Sequence, residues 1–209
     1  MSETKSIKWI IIAVIILAIL LVGFIFFMYE KNKKEALVYK GVNGEEYFFQ
    51  EQVLGGNTTF YYIYIYVGKN EYIYPFRYYP KELEDLDIDI NLKNDILSKN
   101  WIYVTQNLDT ANKTQQQSFL GIMEVVRILG MANDGIYKKS VKNAFIEAYK
   151  NEAVASCSDV SAINGVIYFK LGEKNKVYND NGCVIIEGKD ADGLMKSSEA
   201  FAYHLLGVL

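Results

Sequence analysis

Histidine, proline, cysteine and tryptophan are nearly missing from this 209-residue chain, which holds one, two, two and two of them. With His204 as the sole histidine, the usual histidine-based metal centres are excluded. The one thiol–imidazole option is His204 with Cys157 or Cys183, and a boundary histidine is the commoner reading of such a residue. Also missing are G-x-G-x-x-G, G-x-x-x-x-G-K-[ST], G-x-S-x-G and H-E-x-x-H, so no phosphate loop, nucleophile elbow or zincin helix is written here. Nor is there an excess of positive charge. Setting aside Lys5, Lys8 and Glu3, the 22 basic and 25 acidic residues leave the remainder with 20 against 24, a net charge of −4. That balance, with charges interspersed, argues against a nucleic-acid platform. No catalytic, metal or cofactor set is called for, and the expectation leans away from an enzyme. The spacing of Cys157 and Cys183 matches no CxxC motif. They read either as a single disulfide of an oxidising compartment or as two reduced, buried thiols.

What is present begins with Trp9–Tyr29, WIIIAVIILAILLVGFIFFMY, a run without charge, Asp, Asn, Gln or Pro. At about 1.5 Å rise per residue it is long enough for the roughly 30 Å hydrocarbon core of a bilayer. It is longer than a signal-peptide h-region and no A-x-A-like site follows it, so a retained signal anchor is expected. The resulting organisation is a tail (residues 1–8), an anchor placing 9–29 in the lipid bilayer, a charged spacer (30–36) and a single domain (37–209). Lys5 and Lys8 on one side nearly balance Lys31, Lys33 and Lys34 on the other, so flanking charge barely selects an orientation. The cysteines and two N-glycosylation sequons, at Asn57 and Asn112, favour an extracytoplasmic domain.

The domain reads as α+β: an N-terminal transmembrane helix, then a mostly antiparallel sheet with two or three helices. Leu37–Val42 and Glu46–Gln50 read as strands, and Thr59–Val67, TFYYIYIYV, pairs through Gly68-Lys69-Asn70 with Glu71–Tyr79 as a β-hairpin. Alternation puts Phe60, Tyr62, Tyr64 and Tyr66 on one face and Tyr61, Ile63, Ile65 and Val67 on the other, while Tyr72, Tyr74, Phe76 and Tyr78 share a face of the second strand. Tyr62, Tyr64, Tyr66, Tyr72 and Tyr74 are the candidate aromatic binding face, for a glycan or an envelope protein; the plainer reading is a tyrosine face packed under another element. The acidic run Glu82, Glu84, Asp85, Asp87, Asp89 fails as a calcium loop, having Ile90 and Ile96 where glycine and glutamate are required. A solvated edge with Leu86, Ile88 and Ile90 buried fits it better. WIYVT at Trp101–Thr105 is a further strand. Thr114–Gly130 is a helix with Glu124 and Arg127 as surface charges, and Tyr137–Lys150 suits helix or strand. Val166–Leu171, Lys176–Tyr178 and Cys183–Glu187 are strands, followed by a helix capped by Asp190 and stopped by Gly207.

The closing pattern, Ser156-Cys157-Ser158-Asp159, then VIYFKLG, Asn181-Gly182-Cys183-VIIEGKDADGL and FAYHLLGVL, resembles that of small single-pass archaeal membrane proteins, as do FRYYPKELEDLDID and WIYVT. The resemblance implies an anchored extracytoplasmic domain with its two cysteines paired, and it implies no activity. The functional expectation is a membrane-anchored, non-enzymatic envelope protein that binds a partner or joins an assembly. The alternatives are an extracytoplasmic hydrolase or thiol-dependent enzyme, with Glu82–Asp89 or the cysteines at work, and an accessory subunit of a membrane complex.

Overall fold

A computed structural model describes residues 16–24, 36–55, 58–114, 116–130 and 135–209. The chain divides into two units, Met1–Ala36 and Leu37–Leu209. In the first, residues 16–24 are helical and are named α1. Among the described residues no helix is long and apolar enough to cross a membrane. The expected transmembrane helix is corrected on that finding; the other residues of Trp9–Tyr29 lie outside the described ones.

The second unit holds two sheets. β1 (Leu37–Lys40), β2 (Glu46–Leu54), β3 (Thr58–Val67) and β4 (Asn70–Phe76) form an antiparallel sheet in chain order. The seven-stranded sheet runs β5 (Asp87–Ile88), β10 (Lys176–Asp180), β11 (Cys183–Gly188), β9 (Asn164–Leu171), β6 (Trp101–Gln106), β7 (Ser140–Phe145) and β8 (Ala153–Val154). Only β10–β11 is antiparallel there; the other pairs are parallel. An antiparallel sheet was expected, and it is accompanied by a second, largely parallel one. β10–β11 turns through Asn181 (φ 52°) and Gly182 (φ 88°), the pair of positive φ angles that lets a two-residue hairpin follow strand twist.

Four helices rather than two or three are described here: α2 (Leu92–Leu97), α3 (Leu108–Thr114), α4 (Gln116–Leu129) and α5 (Ala191–Leu206). The carboxylate of Asp190 accepts the Gly193 N–H at 2.7 Å to start α5, and Gly207 at φ 82° ends it. α5 is buried over most of its surface, Leu194, Phe201, Tyr203 and Leu205 being closed from solvent while Asp192 stays exposed. A surface helix keeps one polar face; this one lies between the two sheets. Towards the antiparallel sheet, the Tyr203 ring lies 4.0 Å from that of Phe76 and 6.0 Å from that of Phe49. Towards the mixed sheet, the Ser197 hydroxyl donates to the Glu187 carbonyl at 2.7 Å. One core therefore joins Phe49, Ile63 and Phe76 to Ile167, Phe169 and Ile186 through α4 and α5.

The other face of the mixed sheet carries a smaller cluster, Val166, Cys183 and Ile185 with Cys157 and Val160. Here Cys157 and Cys183 are disulfide-bonded across 26 residues, Cα to Cα 5.3 Å. Within Tyr137–Lys150, which suited helix or strand, Ser140–Phe145 form strand β7, paired along its length with β6. Ile90 is 79% exposed instead of buried, because the chain leaves β5 at Ile88 and turns outward before α2.

Candidate functional site

Register decides which tyrosines share a face, since cross-strand partners point the same way. Tyr62 stands opposite Pro75, Tyr64 opposite Ile73 and Tyr66 opposite Glu71, whereas Tyr72 faces Ile65 and Tyr74 faces Ile63. Ile63 is fully buried and Tyr74 is 6% exposed, so Tyr72 and Tyr74 belong to the core side. The candidate aromatic face is therefore split. Tyr62, Tyr64 and Tyr66 stay together on the outer side, with Phe48 and Ile73 exposed on the same side.

Along β2 and β3 the ladder ends at Phe49↔Ile63. β2 continues to pair with β1 as far as Glu46, and β3 with β4 as far as Val67. The sheet is thus two hairpins joined along half their length and parted along the rest. Between the parted halves lies a cleft of about 520 Å³, lined by Glu45, Glu46, Tyr47, Phe48, Tyr64, Ile65, Tyr66 and Leu206. Leu206, the last residue of α5, brings the end of the central helix into its wall.

The cleft's tyrosines are held by their hydroxyls. The Tyr64 hydroxyl donates to Gln50 Oε1 at 2.7 Å, and that of Tyr66 donates to the Glu71 carboxylate. The Glu71 carboxylate beside it raises the Tyr66 phenol above its ordinary pKa. The Tyr47 hydroxyl accepts from Asn43 Nδ2 at 2.8 Å, and burial pushes its pKa up. Aromatic side chains so fixed lose little freedom on binding, and large exposed aromatic area is the feature that marks interaction surfaces.

The remaining sequence candidates are dispersed or committed. Asn57 lies outside the described residues. Asn112 is exposed on α3, but its sequon partner Thr114 is buried and donates its hydroxyl to the Thr110 carbonyl at 2.7 Å. His204 is half-buried with Nδ1 3.0 Å from the Leu209 carbonyl, and burial lowers its pKa. Both thiols are in the disulfide, so no Cys–His nucleophile forms. In the acidic run, Glu82 accepts the Tyr79 N–H at 2.8 Å and Asp89 accepts the Asn91 N–H at 3.0 Å, as local caps.

Sequence reading missed Glu199 and took Glu124 for a surface charge, which its burial corrects. Glu199, closed from solvent on α5, accepts the backbone N–H of Arg77 at 2.9 Å and that of Tyr78 at 2.9 Å. Glu124 on α4 acts electrostatically on it. Burial raises Glu124 to about 8, against the opposing pull of Arg127 and Arg77. Burial, then the charge of Glu124, raises Glu199 as well. The signal available for Glu199 was its place as the one acid in Leu194–Leu206, a stretch that also holds Lys196, Ser197, Ser198 and His204. Glu199 ties helix to strand end; neither acid lines the cleft.

No family model, no curated protein and no solved structure matches this chain.

Proposed function

We propose that this domain is a non-enzymatic, extracytoplasmic binding module that holds an extended segment of an envelope partner between its two hairpins. The observation that carries the reading is the parting of β2 from β3 beyond Phe49↔Ile63, with Phe48, Tyr64 and Tyr66 on the walls of the gap. Strand edges that separate present main-chain groups to an incoming extended chain, and side-chain pockets between them supply selectivity. The disulfide supports the location, because such bonds form and persist in oxidising compartments. The acids of the Glu82–Asp89 run that cap turns, and the paired cysteines, favour binding over hydrolysis or thiol chemistry.

The test is site-specific photo-crosslinking in cells. A benzoylphenylalanine at position 48 should yield a discrete adduct, while the same probe at Lys150, far along the chain on an exposed turn, should not. Replacing Tyr64 and Tyr66 together by alanine should remove the adduct. An adduct that survives the double replacement overturns the reading, as does equal labelling from position 150.

A further inference from the structure

We infer that the segment held in this cleft presents a basic side chain to it, a lysine-type ammonium; the inference rests on the binding reading above and names the partner's chemistry. Two features of the cleft point to a cation. Four of its eight lining residues are aromatic, Tyr47, Phe48, Tyr64 and Tyr66, and a ring's negative quadrupole face attracts an ammonium. Two more are the carboxylates Glu45 and Glu46, and no lysine or arginine lines the gap.

The basic groups nearby leave room for a guest. Lys40 stands opposite Glu46 across the β1–β2 ladder, and among the described residues the two form no ion pair. Glu45 is engaged only by weak partners, Asn43 Nδ2 at 3.2 Å and the Tyr47 hydroxyl at 3.5 Å. The apolar members Ile65 and Leu206 suit the methylene stem of lysine, whose charged head then reaches the glutamates at the rim. An acidic partner side chain would instead meet the carboxylates of Glu45 and Glu46.

The probe is a capped pentapeptide, acetyl-Gly-Thr-Lys-Thr-Gly-amide, titrated into the full chain and followed by two-dimensional NMR. Its counterpart carries norleucine for lysine, which keeps the stem and removes the charge. The lysine peptide should bind about fivefold or more tightly at low salt, and the preference should shrink in 0.5 M salt as screening takes hold. The double replacement E45Q/E46Q, both exposed positions, should bring the lysine peptide down to the norleucine level while the spectrum elsewhere stays unchanged. Equal affinity for the two peptides overturns the inference. So does a neutral oligosaccharide that shifts the cleft resonances when neither peptide does, an outcome that gives the cleft to a glycan. If position 48 still crosslinks in cells while lysine and norleucine bind alike, the binding reading stands and the charge assignment alone falls.

Discussion

Glu199, on the central helix, accepts the backbone N–H of Tyr78 at 2.9 Å, and the Tyr203 hydroxyl one helical turn on returns a bond to the Tyr78 carbonyl at 2.9 Å. The chain leaving β4 is thereby tied to α5 through both of its main-chain groups. Such ties replace hydrogen bonds the strand end can no longer make with a neighbouring strand.

Removing the acceptor should expose that dependence. Glu199→Ala leaves the N–H groups of Arg77 and Tyr78 buried without a partner and should cost about 3 kcal/mol, at 1–3 kcal/mol per orphaned group. Glu199→Gln keeps one acceptor oxygen and should cost under about 1.5 kcal/mol. Urea midpoints at unchanged slope would check both; a loss in Glu199→Gln as large as in Glu199→Ala would show the charge, not the acceptor, to be what matters.

The partner acid sets a pH dependence. Burial raises Glu124 in the folded state to about 8, above its unfolded value of 4.5. The folded chain therefore holds a proton that the unfolded chain releases, so this contribution to stability is complete below about 4.5 and is lost as pH rises through about 8. Unfolding free energy of the native chain should fall between pH 5 and 8 more steeply than that of Glu124→Gln, followed by denaturant melts at half-unit steps. Parallel curves for the two proteins would contradict the assignment.

The split tyrosine face predicts unequal costs for like substitutions. Tyr74→Ala empties a core site that is 6% exposed and should destabilise by about 3–5 kcal/mol. Tyr66→Ala, at a position 68% exposed, should stay within about 0.5 kcal/mol. Thermal melts of the two variants decide it; comparable losses would mean that the outer tyrosines pack against something in the folded protein.

Reduction of the disulfide offers a fourth measurement. Freeing Cys157 from Cys183 releases a loop of 26 residues, worth about 3 kcal/mol in the chain-entropy account. For a domain of this size that corresponds to a melting point lower by roughly 6–12 °C. The double replacement of both cysteines by alanine should show the same loss and no further response to reductant.

Much of the antiparallel sheet was legible in the chain because its signals are local: alternation in TFYYIYIYV and the Gly68 turn. The Asp190 cap and Gly207 stop of α5 were legible for the same reason. The parallel pairings were not, although Trp101–Thr105, Val166–Leu171 and Cys183–Glu187 read correctly as strands. β6 and β7 are joined by residues 107–139, and a pairing across such a crossover leaves no mark on either strand's own pattern. Tyr62 and Tyr74 were grouped for want of register, which alternation within one strand cannot supply; one residue of slip exchanges the faces. The cleft escaped for a related reason, since the point where β2 and β3 part is a property of two ladders ending at different residues. Glu124 and Glu199 were hidden because a single glutamate on a helix looks the same whether water or another helix lies beyond it.

α5 supplies the layer that both sheets share, yet the eleven strands among the described residues all precede it in the chain. During synthesis the strands therefore leave the ribosome with their apolar faces uncovered, Phe49 and Phe76 on one sheet and Phe169 and Ile186 on the other. Until residues 191–206 arrive, each sheet is a sticky half without its counterpart, and contacts of this long sequence separation form slowly. Maturation of the domain therefore waits on its last helix, with a window in which holdase chaperones compete with aggregation for the same surfaces.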